Sequence, residues 1–171
     1  MAAKGSIHLK SGLPPVVDSG TRVLVLGSLP SDESIRLQQY YGNPRNHFWS
    51  IIYKIFDGGR PDDDYSRRII FLKSLGFGLW DVLQSASRKG SADSSIRNKV
   101  PNDIAMFLDR YPRIEKVLLN GTRAREYYRK FCGNARIDGL YVPSSSPRPG
   151  RNVLTLERKM EKWNEVMRSA P

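Results

Sequence analysis

Between residues 36 and 49 the chain reads R-L-Q-Q-Y-Y-G-N-P-R-N-H-F-W. Two tyrosines, two asparagines, two arginines, a Phe-Trp pair and one of the chain's two histidines share this short stretch. Aromatic faces stack on flat rings, amides hydrogen-bond to polar edges, and arginines attract phosphates. Tyr41, ahead of a Gly-Asn-Pro turn, is hard to explain as core and offers a stacking face. Trp49 reads as core, and Phe48 fits either role. Asn46 stands where a helix begins, and Asn is a favoured helix cap, a role that would also hold its side chain rigidly beside the loop. His47 is a general acid or base by residue type. A helix N-terminus would lower its pKa and favour the neutral ring.

Two further segments carry polar groups at short spacing. V-P-S-S-S-P-R-P-G at 142–150 offers the hydroxyls and backbone N–H groups of Ser144, Ser145 and Ser146, which suit phosphate oxygens. Arg148 lies between two prolines whose fixed φ angles stiffen the loop and hold the side chain outward. Such an arginine suits insertion into a duplex or contact with a backbone phosphate. G-S-L-P-S-D-E-S at 27–34 is a weaker signal, since Gly and Pro occur in many strand-to-helix loops. It lacks the Gly-Lys-Ser/Thr of a Walker loop, and G-x-G-x-x-G is absent from the chain, so no nucleotide cofactor is expected. Asp32 and Glu33 could order water, although a solvated helix start explains them more simply.

The elements that would position these segments are legible from periodicity. Four short apolar runs read as strands: R-V-L-V-L-G (22–27), G-F-G-L-W-D-V-L (76–83), E-K-V-L-L-N-G (115–121) and D-G-L-Y-V-P (138–143). Helical spacing separates them. It appears over 46–56, after Asp62-Asp63-Asp64, after Pro101-Asn102-Asp103, over 123–131, and in the closing stripe Leu156, Met160, Trp163, Met167. Near-continuous apolar strands alternating with helices predict a mainly parallel four-stranded sheet covered on both faces, a three-layer α/β/α sandwich. Residues 22–171 would form one domain, preceded by a loose lead-in over 1–21. Ligands in such folds sit beyond the C-terminal strand ends, where all three loops fall. Asp93 and Asn120 reach the same edge in this topology.

Charge narrows the partner. Lys and Arg number 28 against 17 Asp and Glu, a net charge of +11, which draws polyanions and nucleic acid above all. The single cysteine, Cys132, excludes an internal disulfide and a cysteine-based zinc site, and two histidines supply no metal cluster. No apolar run is long enough to span a bilayer, and the first residues lack a signal-peptide core. The expected setting is cytoplasmic, bacterial or archaeal and nucleoid-associated, with the protein acting as a monomer without a cofactor.

Three of these segments together, G-S-L-P-S (27–31), Y-G-N-P-R-N-H-F-W (41–49) and V-P-S-S-S-P-R (142–148), resemble the uracil-DNA glycosylase superfamily. The pattern is most similar to its hypoxanthine-DNA glycosylase, or sixth, family, and also looks like thymine-DNA glycosylase. The resemblance implies a monofunctional enzyme that flips a deaminated base from duplex DNA and hydrolyses the N-glycosidic bond, leaving an abasic site. Hypoxanthine is the first expected base and uracil the second. It implies that the Tyr41 ring stacks on the base with Phe48 lining the pocket, and that Asn43, Leu29 and Gly27 complete the base site. Asn46 would contact the base or the attacking water, with His47 and Ser28 as the other catalytic candidates. Ser144 would hold a phosphate, with Ser145, Ser146 and Arg45 as further DNA contacts, and Arg148 would fill the hole left by the flipped nucleotide.

One departure stands out. Most of the superfamily has Asp or Asn at the third position of the first motif, to place the hydrolytic water; here it is Leu29. The histidine that some members carry before the second Pro-Ser is replaced by Val142. Two rival readings follow: a catalytically silent, basic nucleic-acid-binding module, which Leu29 favours, and a small-molecule nucleoside hydrolase, which the charge and the Arg148 loop disfavour.

Overall fold

The computed structural model describes residues 8–88, 96–147 and 153–169. Among these, β2 (Val23–Gly27), β3 (Phe77–Asp81), β6 (Lys116–Asn120) and β7 (Gly139–Val142) form a four-stranded sheet in the order β3-β2-β6-β7. Every pairing in it is parallel. All four strands are those expected from the sequence.

Alternation explains the layers. Leu24 and Leu26 of β2 point with Val117 and Leu119 of β6 into one cluster, which holds Ile104, Leu108, Tyr127 and Tyr128. These last come from α4 (Ile104–Arg110) and α5 (Thr122–Phe131). Val25 and Leu118 point the other way, toward Phe48, Ile51, Ile52 and Trp163. Those residues sit on α2 (Phe48–Phe56) and α6 (Leu156–Arg168). Because both faces are buried, the strands read as unbroken apolar runs. Burying a side chain such as Leu or Phe contributes about 1.5–3 kcal/mol, so these central strands anchor the positions of the loops.

Helix starts follow from local chemistry. The Asp64 side chain accepts from Ser66 N–H at the head of α3 (Tyr65–Ser74), and Asp103 accepts from Met106 N–H at the head of α4. The short α1 (Asp32–Leu37) is capped by Ser31, which accepts from Ser34 N–H. Asp32 and Glu33 fall in its first turn, Asp32 paired with Lys10 and Glu33 with Arg36 at 2.6 Å, so a helix start is what they are.

The lead-in is a correction. From residue 8 onward it is pinned, not loose. β1 (His8–Ser11) pairs antiparallel with β4 (Leu83–Arg88), which pairs with β5 (Arg97–Pro101) in a three-stranded sheet. Val16 and Leu79 exchange backbone hydrogen bonds at 2.8 and 2.9 Å, and the Tyr40 hydroxyl donates to Leu13 O at 3.1 Å. These attachments are mostly backbone bonds, which leave no apolar periodicity to read. Among the described residues no helix is long and apolar enough to cross a membrane.

Candidate active site

The parallel register places Gly27 beside Asp81 and Asn120 beside Val142, so four strand ends meet on one edge. Beyond them lies a cavity of about 470 Å³. Its wall takes Gly27, Ser28 and Leu29 from the loop after β2, Tyr41, Asn43, Arg45 and Asn46 from the aromatic loop, and Ser144 and Ser146 from the serine loop. Asn120 and Asp81 complete it from the ends of β6 and β3.

Tyr41 is held in an unusual state. Its φ of 54° lies in the left-handed region, rare for a bulky residue and found where surrounding structure over-determines the backbone. Its ring stacks on Phe48, centroids 4.1 Å apart and planes at 21°. Phe48 is fully buried and absent from the cavity wall. It therefore backs the Tyr41 ring instead of lining the pocket, contrary to expectation. Burial, then the nearby Asp81 charge, push the Tyr41 phenol well above its ordinary pKa, so it remains a neutral hydroxyl.

Asn46 does not take the cap position expected of it but stands one residue before it, still bonded to the helix start. The helix begins at Phe48 with His47 in the cap position, and the Asn46 side-chain oxygen accepts from Phe48 N–H at 2.9 Å. The oxygen being committed there, what the amide offers the cavity is its NH₂ donors. Asn43 shapes the preceding turn, its side chain accepting from Arg45 N–H at 2.9 Å and its carbonyl from Asn46 N–H at 2.8 Å. Arg45 is exposed at the rim, and Leu29 is 7% exposed, part core and part wall.

Two candidates lie off the cavity wall, Ser145 buried and His47 half-buried. Ser145 is 1% exposed, and its groups are spent inside the protein. Its N–H donates to Asn120 Oδ1 and its hydroxyl accepts from Asn120 Nδ2, both at 2.9 Å, so no phosphate can reach it. Asn120 Nδ2 also donates to the Tyr41 hydroxyl at 3.0 Å. Asn120 thus ties the aromatic loop to the serine loop. His47 is likewise off the cavity wall. Its backbone N–H donates to Ser145 O at 2.9 Å, and its ring Nδ1 lies 3.4 Å from Lys159 Nζ. Burial, then the Lys159 charge, hold its pKa below the usual value, and a neutral ring is what can accept from an ammonium. In this placement the ring faces Lys159 and the serine loop, not the cavity wall. Arg148 and Asp93 lie outside the described residues.

Two site residues escaped the sequence. Asp81, 4% exposed, sits on the cavity wall, and a Cβ at Gly27 would come within 2.5 Å of its Oδ1. Glycine at 27 is what lets the carboxylate occupy that space. A lone acid closing an otherwise apolar strand was the available signal. Lys159, 2% exposed on α6, donates to Ser146 O at 3.0 Å beneath the serine loop. Trp163, one turn on, donates to Pro143 O at 2.9 Å, so α6 holds this loop at two points.

Comparison with known proteins agrees with the geometry. Residues 14–168 match the family described as the uracil DNA glycosylase superfamily. The chain belongs to that superfamily. Two relatives are each named hypoxanthine DNA glycosylase. One, from Methanosarcina acetivorans, is 39% identical over 94% of this chain and 99% of its own. The other, from Methanosarcina barkeri, is 41% identical over 93% of this chain and 98% of its own. A solution NMR structure from Methanosarcina acetivorans, provisionally described as a uracil DNA glycosylase, superposes with a TM-score of 0.79 at 38% identity. It covers 94% of this chain and 98% of its own. Membership in this superfamily accounts for the α/β/α sheet and for the three loops at one edge of it.

Proposed function

We propose that the protein is a monofunctional DNA glycosylase of base excision repair that removes a deaminated base, hypoxanthine before uracil, from duplex DNA. The observation that carries this reading is the cavity, where a backed aromatic face, an amide whose oxygen is bonded to the helix start and a buried carboxylate meet beside a basic rim.

The chemistry follows from the residues. Cleavage of the N-glycosidic bond builds positive charge on the sugar and negative charge on the leaving base. Tyr41 stacks on the flipped base, and the Asn46 NH₂ donates to an oxygen that gains charge as the base departs. Arg45, and Ser144 through its exposed hydroxyl, meet the backbone phosphates, while the net charge of +11 concentrates the protein on DNA. Leu29 cannot polarise water, and a missing general base costs about 10²–10⁴-fold in rate, small beside the total that enzymes supply. Departure of the stabilised base carries the reaction; a water then adds to C1′ of the sugar, and the proton it loses ends on the departed base anion, through solvent.

Labelled duplexes carrying hypoxanthine, uracil, xanthine or T opposite G, incubated with the protein and treated with alkali, test this. Strand cleavage at hypoxanthine is the expected result. Cleavage at uracil alone would keep the chemistry and change the base. Duplex binding without cleavage of any substrate would establish the silent binding module that Leu29 favours.

A further inference from the structure

The geometry points to Asp81 as the residue that tells a deaminated purine from its parent, by accepting the ring N–H that deamination creates. The inference rests on the glycosylase reading and names how that pocket chooses its base.

Depth in the cavity decides which part of a flipped nucleotide each group can meet. The sugar stays attached to the DNA, so C1′ and the water that attacks it lie toward the opening. The Watson–Crick edge of a purine, opposite its glycosidic bond, goes in furthest. Asp81 ends β3 and is 4% exposed, while Arg45 at the rim is exposed. Its carboxylate therefore faces the distal edge of the base and is out of reach of the sugar.

Its placement is built. Asp81 pairs in register with Gly27, Val82 N–H donates to Gly27 O at 2.9 Å, and Asn102 Nδ2 donates to Asp81 O at 2.9 Å. The bare Cα of Gly27 leaves room for Oδ1, since a methyl there would lie 2.5 Å away.

The donor and acceptor pattern then matches one chemical change. Adenine presents an acceptor at N1 and an amino donor at C6. Deamination to hypoxanthine reverses both, giving N1–H and a C6 carbonyl. A carboxylate only accepts, and the Asn46 NH₂, its oxygen taken by Phe48 N–H, only donates. Asp81 receives N1–H while Asn46 donates to O6. Adenine in the same pose would set its N1 lone pair against the carboxylate and its amino group against the amide. Two acceptors set face to face, and two donors likewise, repel, so the parent base is refused in this pose.

Single-turnover excision by wild type, Asp81→Ala and Asp81→Asn on duplexes holding hypoxanthine or N1-methylhypoxanthine tests the assignment. The wild type should excise hypoxanthine and discriminate against the N1-methyl base by about 10²-fold or more. Asp81→Ala should lose about 10–10²-fold on hypoxanthine, the worth of a hydrogen bond to a charged group. It should lose far less on the methylated base, whose methyl now meets vacated space, so the preference collapses by at least about tenfold. Asp81→Asn, of equal volume with an oxygen retained, should fall between. Equal slowing of both bases by Asp81→Ala would make the carboxylate a water activator and overturn the inference. So would loss of the folded state in both variants, which would make its role structural. Failure of the wild type to excise hypoxanthine would instead remove the glycosylase reading, and this inference with it.

Discussion

Replacing Asn120 by alanine should loosen the site and the fold together. Its side chain makes three hydrogen bonds, to Ser145 N–H and to the Ser145 and Tyr41 hydroxyls, at 2.9, 2.9 and 3.0 Å. Ser145 is 1% exposed, so truncation leaves its backbone N–H buried without a partner, at a cost of about 1–3 kcal/mol. Each of the other two bonds contributes about 0.5–1.5 kcal/mol. The sum centres on about 3–4 kcal/mol, and a domain of this size loses about 2–4 °C of Tm per kcal/mol, giving a fall of about 6–15 °C. Thermal unfolding followed by circular dichroism reads this directly, with urea titration confirming a lower midpoint at an unchanged m-value. Ser145→Ala, which keeps the N–H bond and deletes only the hydroxyl, should cost about 1 kcal/mol. Excision by Asn120→Ala should also fall, because the Tyr41 hydroxyl loses its tether. A Tm within about 2 °C of wild type would refute the clamp, since a loss below about 1 kcal/mol cannot include an orphaned buried N–H.

Gly27→Ala should destabilise the wild type by about 1–3 kcal/mol, because its methyl would displace Asp81 Oδ1, yet be nearly neutral in an Asp81→Ala background; denaturation of the four variants in a double-mutant cycle measures the coupling. The folded protein binds a proton at His47 more weakly than the unfolded chain does, so stability should drop as pH falls through about 6.5, and His47→Gln should flatten that slope in melts between pH 8 and pH 5.5. Arg45→Ala should weaken duplex binding across sequences and lower the slope of log K against log salt by about 1, as read from fluorescence anisotropy titrations.

Sheet and layers were legible because central parallel strands must be apolar on both faces, a pattern that 22–27, 76–83, 115–121 and 138–143 carry openly. The β1-β4-β5 sheet was not, since its strands carry no such apolar run: Leu9 is 70% exposed, and β5 reads R-N-K-V-P. The loops of the site were found by residue type and position at strand ends. What each side chain does there depends on partners far away in sequence. Nothing local says that Ser145 turns inward to Asn120 while Ser144 stays exposed, or that Phe48 stands behind Tyr41. Asp81 was hidden inside a strand read through to residue 83, and Lys159 inside a polar helix face, because a buried charge is expected only once its surroundings are known.

In the proposed reaction this cavity releases a deaminated base from DNA, with Asn46 stabilising its departure. Mass spectrometry of the products from a hypoxanthine-containing duplex, with wild type and Asn46→Ala side by side, reads that release. Free hypoxanthine in one-to-one yield with abasic strand, slowed by about 10²-fold or more in the variant, is the result expected for a lost transition-state donor. Release of hypoxanthine at the same rate by both proteins would contradict the role of Asn46, and intact duplex recovered from the wild type would contradict the account as a whole.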